Sequence, residues 1–85
     1  MEMLLIVNLS DKLNFAQWAE VYEGDADKRS TFMTNSIYGK VNDKKVMVKF
    51  TVTDPAKMEE HMKNSTPMFE ELGIQHEVYT VSPAQ

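Results

Sequence analysis

Residues 36–53 alternate apolar and polar side chains with the period of two that β-strands show, and this stretch constrains the fold more than any other. The apolar positions of its second half are Val46, Val48, Phe50 and Val52. β-Branched and aromatic residues at every second position indicate a strand with one apolar face. Residues 37–41 form a shorter run, and Asn42 and Asp43 between the two runs favour a tight turn. The sequence therefore predicts an antiparallel hairpin in mid-chain.

The segments before the hairpin predict a strand and a helix. Residues 3–9 are almost continuously apolar, which is typical of a central strand buried on both faces. Asn14 is a good N-cap, and Gln17 is spaced to complete a capping box. The helix that begins there is expected to end at Gly24.

Residues 25–34 predict a second, short helical segment. Phe32 and Met33 are expected to point inward. The residues expected to point outward are Asp25, Asp27, Lys28 and Arg29.

After the hairpin, Asp54 followed by Pro55 is a strong helix start, and Gly73 marks the end of that helix. A proline further along predicts a break or kink near Asn64. Residues 74–81 then read as a last strand.

The predicted order is β-α-β-β-α-β, which makes residues 1–85 one α+β domain. Two right-handed split βαβ units give the ferredoxin-like arrangement, a four-stranded antiparallel sheet with both helices on one face. The first and third strands are central in that arrangement. They correspond to residues 3–9 and 45–53, the two most apolar runs of the chain.

The sheet face away from the helices is expected to be partly apolar. The residues predicted to lie there, as a candidate dimer interface, are Leu4, Ile6, Tyr38, Met47 and Lys49. Exposed apolar patches of this kind typically mark an interface, and a chain this short gains stability from a partner subunit. We expect a homodimer formed sheet to sheet. The alternative is that a lipid or a different protein binds to this face.

Composition excludes several function classes. The net charge is −4 and Arg29 is the single arginine, which counts against a nucleic-acid partner and a dedicated phosphate site. The absence of cysteine removes disulfides, thiolate metal sites and a cysteine nucleophile. Neither a membrane-length apolar run nor a signal-peptide pattern occurs, so we expect a cytoplasmic protein without a membrane partner.

No catalytic or metal-binding motif stands out, and neither a metal nor a cofactor is predicted. Phosphate loops, nucleophile elbows and paired His-Glu zinc motifs are missing from the sequence. His61 and His76 lack the spacing of metal ligands and read as surface or partly buried histidines. The methionines of the second long helix favour adaptable core filling over a copper site.

Trp18 and Tyr22 lie on the inward stripe of the first helix, and each carries a polar group that needs a partner. One interpretation is core aromatics. The other is the lining of a small-molecule cavity between helices and sheet, with further side chains converging on it. The candidate ligand-binding residues are Asn8, Trp18, Tyr22, His61 and Tyr79.

With residues 3–9, the helix that carries Trp18 and Tyr22, and the helix from Asp54 to Gly73, the chain resembles the dimeric α+β barrel proteins. The likeness covers nearly the whole chain and is one of spacing and hydrophobicity, most similar to the small uncharacterised bacterial and marine members. It implies ferredoxin-like domains whose two sheets pack face to face. The group includes cofactor-free monooxygenases of aromatic polyketides, lactone isomerases, haem-degrading enzymes and stress-responsive proteins.

The haem-degrading branch uses an asparagine on the first strand, with a tryptophan and a histidine on the second helix. Asn8 and His61 resemble two of these residues, whereas the second long helix of this chain has no tryptophan. The chain therefore resembles the haem-degrading branch only in part of its site residues.

Two functional hypotheses follow. The first is a homodimer whose cavity binds a small, largely apolar or aromatic molecule. The second is a cofactor-independent monooxygenase or isomerase that acts on an aromatic substrate through Trp18, Tyr22, Asn8 and His61. They differ in whether these side chains converge on an open pocket.

Overall fold

The computed structural model describes residues 2–82 and shows an α+β fold. The elements are β1 (Glu2–Asn8), α1 (Phe15–Gly24), α2 (Ala26–Arg29), β2 (Met33–Asn42), β3 (Lys45–Val52), α3 (Pro55–Leu72) and β4 (Gln75–Val81). The strands form a four-stranded sheet in the order β2-β3-β1-β4, and every neighbouring pair is antiparallel. The two most apolar runs, β1 and β3, are central, as predicted.

The core lies on one face of the sheet. Val7 on β1 pairs with Val46 on β3, and Leu5 pairs with Val48, so the inward side chains of the two strands stand side by side. α1 and α3 both pack over this face. The buried residues of the core are Leu5, Val7, Leu13, Trp18, Val46, Val48, Phe50, Val52 and Ile74.

The ends of both long helices are set by local hydrogen bonds that confirm the predictions. The Asn14 side chain accepts from the Gln17 backbone N–H at 2.9 Å, and the Gln17 side chain accepts from the Asn14 N–H at 3.0 Å. The two contacts form the predicted capping box. At α3, the Asp54 carboxylate accepts from the Lys57 N–H at 3.1 Å, directly before Pro55.

The structure corrects the predicted extent of two helices. The chain stays helical through Asn64, with Pro67 inside α3, so the predicted break does not occur there, whereas a kink stays a prediction. A proline removes one intrahelical N–H, and the apolar residues on both sides of it still pack on the core and hold the helix in place. The second helical segment is only Ala26–Arg29, because Met33 already begins β2.

The hairpin register corrects the predicted position of Tyr38. Asn42 pairs with Lys45 and Lys40 pairs with Val46, which leaves Val41 as an extra residue in a β-bulge. Tyr38 consequently pairs with Val48 and lies under the helices, so its predicted place on the opposite face is wrong. Ile37 takes that place instead and is 65% exposed.

Gly73, which ends α3, is a position that only glycine fits. Its φ is 69°, and a Cβ atom there would lie 2.7 Å from Ser10 Oγ, the hydroxyl that donates to the Leu72 carbonyl at 2.6 Å. We expect Gly73→Ala to lower the free energy of unfolding by about 2 kcal/mol or more, from the left-handed backbone and the collision. Urea denaturation measures the loss.

Gly24→Ala is the matched control, because a Cβ atom at Gly24 meets no atom within 4 Å. We expect it to leave stability unchanged or raise it by up to about 1 kcal/mol, the helix preference of alanine over glycine. Equal losses in the two variants would contradict this account of the C-cap.

Candidate functional site

A cleft lies between α1 and α3, with the sheet as its floor. Its volume is about 90 Å³. Leu5, Val7 and Phe50 form the floor, and none of the α3 residues that line the cleft is fully buried. The remaining lining residues are Leu13, Trp18, Val21, Tyr22, Asp25, Arg29, Phe32, Met33, Met58, His61, Met62, Ser65, Met68, Phe69, Leu72, Ile74 and His76. We call this space the interhelical cleft.

Stacked aromatic rings form the α1 wall of the cleft. The Trp18 and Tyr22 rings stack with centroids 4.8 Å apart, and Tyr38 packs edge-on against both. Tyr22 shares a hydrogen bond with the Ser36 hydroxyl, so its polar end is satisfied. Tyr38 donates to a Glu23 carboxylate oxygen at 2.6 Å, and this hydrogen bond raises the pKa of the Tyr38 hydroxyl. Trp18 and Tyr22 thus belong to the packed core and also line the cleft.

Methionines and one histidine form the opposite wall on α3. Met58, Met62 and Met68 are flexible, polarizable side chains that adapt to irregular partners. The His61 ring lies 5.0 Å from the Phe32 ring, centroid to centroid. This wall can therefore change shape more easily than the stacked α1 wall.

Arg29 is the cationic side chain of the cleft. Its guanidinium lies 3.5 Å from the centre of the Tyr22 ring, and one terminal nitrogen donates to the Tyr22 carbonyl. Its Nε is buried and has no hydrogen-bond partner within residues 2–82. Asp25 also lines the cleft, one helical turn before Arg29.

His76 closes the cleft near β4. It pairs with Val7 and packs edge-on against the Phe69 ring, with 4.6 Å between centroids. Burial lowers the pKa of His76 from its ordinary value of 6.5, because the charged imidazolium is disfavoured away from water.

The structure divides the predicted ligand-binding residues between the two faces of the sheet. Trp18, Tyr22 and His61 line the cleft. Asn8 and Tyr79 lie on the opposite face, in register with Lys45 and Leu4 respectively. The five side chains therefore do not converge, because strand alternation turns the even-numbered residues of β1, and the β4 residues in register with them, away from the helices.

Asp25 and Arg29 were expected to point outward, and that prediction is wrong. A signal for them exists in the sequence. The first helix has an inward stripe at Phe15, Trp18 and Tyr22, and continuing its spacing of three and four residues past Gly24 reaches Asp25 and Arg29. The polar character of the two residues concealed this continuation.

The sheet face away from the helices, here called the open face, carries a mixed surface. Leu4, Ile6, Met47 and Lys49 lie on it, as the β1–β3 register places Ile6 opposite Met47 and Leu4 opposite Lys49. Glu77 is in register with Ile6 and accepts hydrogen bonds from Asn8 at 3.2 Å and from Tyr79 at 3.3 Å. These bonds hold the Glu77 carboxylate in place on an otherwise partly apolar surface.

Within the described range, residues 2–82, no group of three or more His, Cys, Asp or Glu side chains is arranged to hold a metal ion. None of the helices in this range is long and apolar enough to cross a membrane. Comparisons of the sequence with known protein families and with curated proteins find no match.

The lowered pKa of His76 predicts an acid-sensitive contribution to stability. As the pH falls through 6.5, His76 takes up a proton in the unfolded chain before it does so in the folded one. The free energy of unfolding should therefore fall with decreasing pH, with a slope of up to about 1.4 kcal/mol per pH unit.

We expect His76→Gln, which cannot titrate, to lose this contribution. The measurement is urea denaturation of both proteins between about pH 7.5 and 5.5, which spans the ordinary range of histidine. The difference in unfolding free energy between the two proteins should shrink as the pH falls. A difference independent of pH would contradict the prediction.

Proposed function

We propose that the protein binds a small, largely apolar or aromatic molecule in the interhelical cleft and acts as a homodimer. The observation that carries the proposal is the cleft itself. It combines a rigid wall of stacked rings, a flexible wall of methionines and a few polar side chains. Ligand sites in proteins are typically concave, mostly apolar and equipped with few polar groups.

The volume and the packing of α3 support a bound molecule over a closed core. A volume of about 90 Å³ is several times the ~15 Å³ that one water molecule needs. Met58 and Phe69 pack on the core and Met62 lines the cleft, yet all three remain partly exposed. An apolar ligand would remove these side chains from water, at a gain of roughly 25 cal/mol for each Å² covered.

The alternative of a cofactor-independent monooxygenase or isomerase receives less support. It requires Asn8 to act together with Trp18, Tyr22 and His61, and Asn8 lies on the other side of the sheet. Binding without catalysis needs no such convergence.

The proposed dimer forms through the open face, in the manner of the ferredoxin-like dimeric α+β barrels. Support for that fold comes from the central positions of β1 and β3 and from the packing of α1 and α3 on one face. Support for a second copy as the cover comes from the charges of the open face. Lys49 lies on β3 at one side of β1, and Glu77 lies on β4 at the other side.

A two-fold axis parallel to β1 would bring β3 of one protomer over β4 of its partner. Lys49 would then approach the partner subunit's Glu77, and the apolar residues along the middle of the face would meet one another. A symmetric interface needs this self-complementarity, since each contact occurs twice.

Filling the cleft should weaken the binding of an aromatic molecule. We expect phenylethanol, a neutral aromatic probe, to shift the NMR signal of the Trp18 indole N–H, which is unambiguous because the chain has one tryptophan. Ser65→Phe places a ring in the cleft and should weaken this binding by about tenfold or more, equivalent to about 1.4 kcal/mol per factor of ten. Titration followed by NMR measures the affinity.

Asn64→Phe is the matched control, because the same ring is added to an exposed position of the same helix. It should bind the probe as the wild type does. Absence of any probe-induced shift in the wild type, or equal weakening in both variants, would count against a ligand site in the cleft.

Charging the open face should separate the dimer. Leu4 lies on β1, along the proposed two-fold axis, so Leu4→Lys would place cations of both protomers against each other. We expect a dimer for the wild type and a monomer for this variant, measured by sedimentation velocity and native mass spectrometry. Val41→Lys, at the hairpin bulge with 47% exposure, is the control and should remain dimeric.

A monomeric wild type at NMR concentrations would refute the dimer. The open face would then be expected to bind a lipid or a different protein.

A further inference from the structure

Arg29 stands out within the interhelical cleft because its charge has no counter-ion there. The ion pairs within residues 2–82 are Lys40 with Asp43 and Lys44 with Asp11, and neither includes Arg29. Asp25 also lines the cleft and forms no ion pair with it. A partly buried guanidinium is ordinarily paired, since removing a cation from water is costly.

The contacts of Arg29 orient the guanidinium without neutralising it. The Tyr22 ring supports its flat face, and the Tyr22 carbonyl accepts from one terminal nitrogen. A guanidinium carries five N–H donors in a planar fork, and Nε is buried without a partner in the described part of the chain. Within residues 2–82, the Tyr22 carbonyl is thus the acceptor of the guanidinium, and Nε has none.

The geometry points to a small carboxylic acid as the ligand of the cleft, with an apolar or aromatic body between the α1 and α3 walls and its carboxylate on Arg29. A carboxylate presents two coplanar oxygens that match the guanidinium fork and neutralise its charge, whereas a neutral hydroxyl offers a single oxygen and leaves the charge uncompensated. The inference rests on the proposed function and adds the chemical class of the ligand.

The overall charge of the protein does not produce this preference. The chain carries 13 acidic and 9 basic residues, so its general field repels anions. Any preference for an anionic ligand must come from a local cation, and Arg29 is the arginine that lines the cleft.

Three probes of similar size test the inference: phenylacetic acid, phenylethanol and phenethylamine. We expect the wild type at neutral pH to bind the acid about tenfold or more tightly than the alcohol, the contribution typical of one hydrogen bond to a charged group. The amine should bind most weakly. Titrations followed by NMR give the three affinities.

The Arg29 Nε–H signal provides a direct readout, because the chain has a single arginine. It should shift when phenylacetic acid is added and stay unchanged with phenylethanol. A purely structural role for Arg29 on the Tyr22 ring would not produce this difference.

Arg29→Met removes the charge and keeps much of the side-chain length, so we expect it to abolish the preference for the acid over the alcohol. Lys28→Met is the matched control, because it removes the same charge from the exposed neighbouring position. That variant should keep the preference for the acid. If Arg29→Met fails to fold, the wild-type affinity ratio and the Nε–H shift decide the question.

The outcomes distinguish failure of the ligand site itself from failure of its preference for carboxylic acids. If no probe binds, the proposed ligand site is refuted together with this inference. If acid and alcohol bind equally, the apolar cleft stands and the assignment to carboxylic acids is overturned. Tighter binding of the amine would overturn it as well, because Asp25 would then set the charge preference.

Discussion

The pairing of β1 with β3 is the contact on which the remaining structure depends. Val7 and Val46 are neighbours in this pair and have no exposed surface, so the sheet has one dry face at its centre. Because alternate residues of a strand point to opposite faces, the same two strands also fix what the other face presents. The helices cover the dry face, and a mixed apolar and charged surface is left behind them. The cleft and the open face are thus two sides of one pair of strands.

A difference in packing between the two long helices explains why a cleft exists between them. α1 contributes Trp18, which is only 6% exposed, and its stacked rings close tightly on the sheet. α3 contributes methionines and none of its residues is fully buried. A rigid helix beside a loosely packed one leaves space at their boundary. Polar residues reach that space because α2 follows α1 almost without interruption and continues its inward stripe.

Local sequence signals predicted much of the fold. The caps at Asn14 and Asp54 and the αL glycine at Gly73 act within a few residues of the chain, and all three are confirmed.

The candidate site was harder to predict. Trp18 and Tyr22 were identified from their helical spacing, and His61 was named as a residue that would converge on them. Arg29 was assigned outward because its charge outweighed its position on the stripe. The face of Tyr38 depended on a bulge, and the apolar character of Ile37 and Val41 favoured the opposite register. Tertiary contacts decide such cases, and they are not visible in periodicity alone.

The bulge at Val41 also means that the length of the hairpin determines which face of the sheet the residues from Ile37 to Lys40 occupy. One residue more or fewer in this strand would exchange the two sides on which Ile37 and Tyr38 stand. The aromatic wall behind Trp18 would lose a ring, and the open face would gain one in the same event. Adding or removing one residue in this strand would therefore alter both surfaces of the protein together.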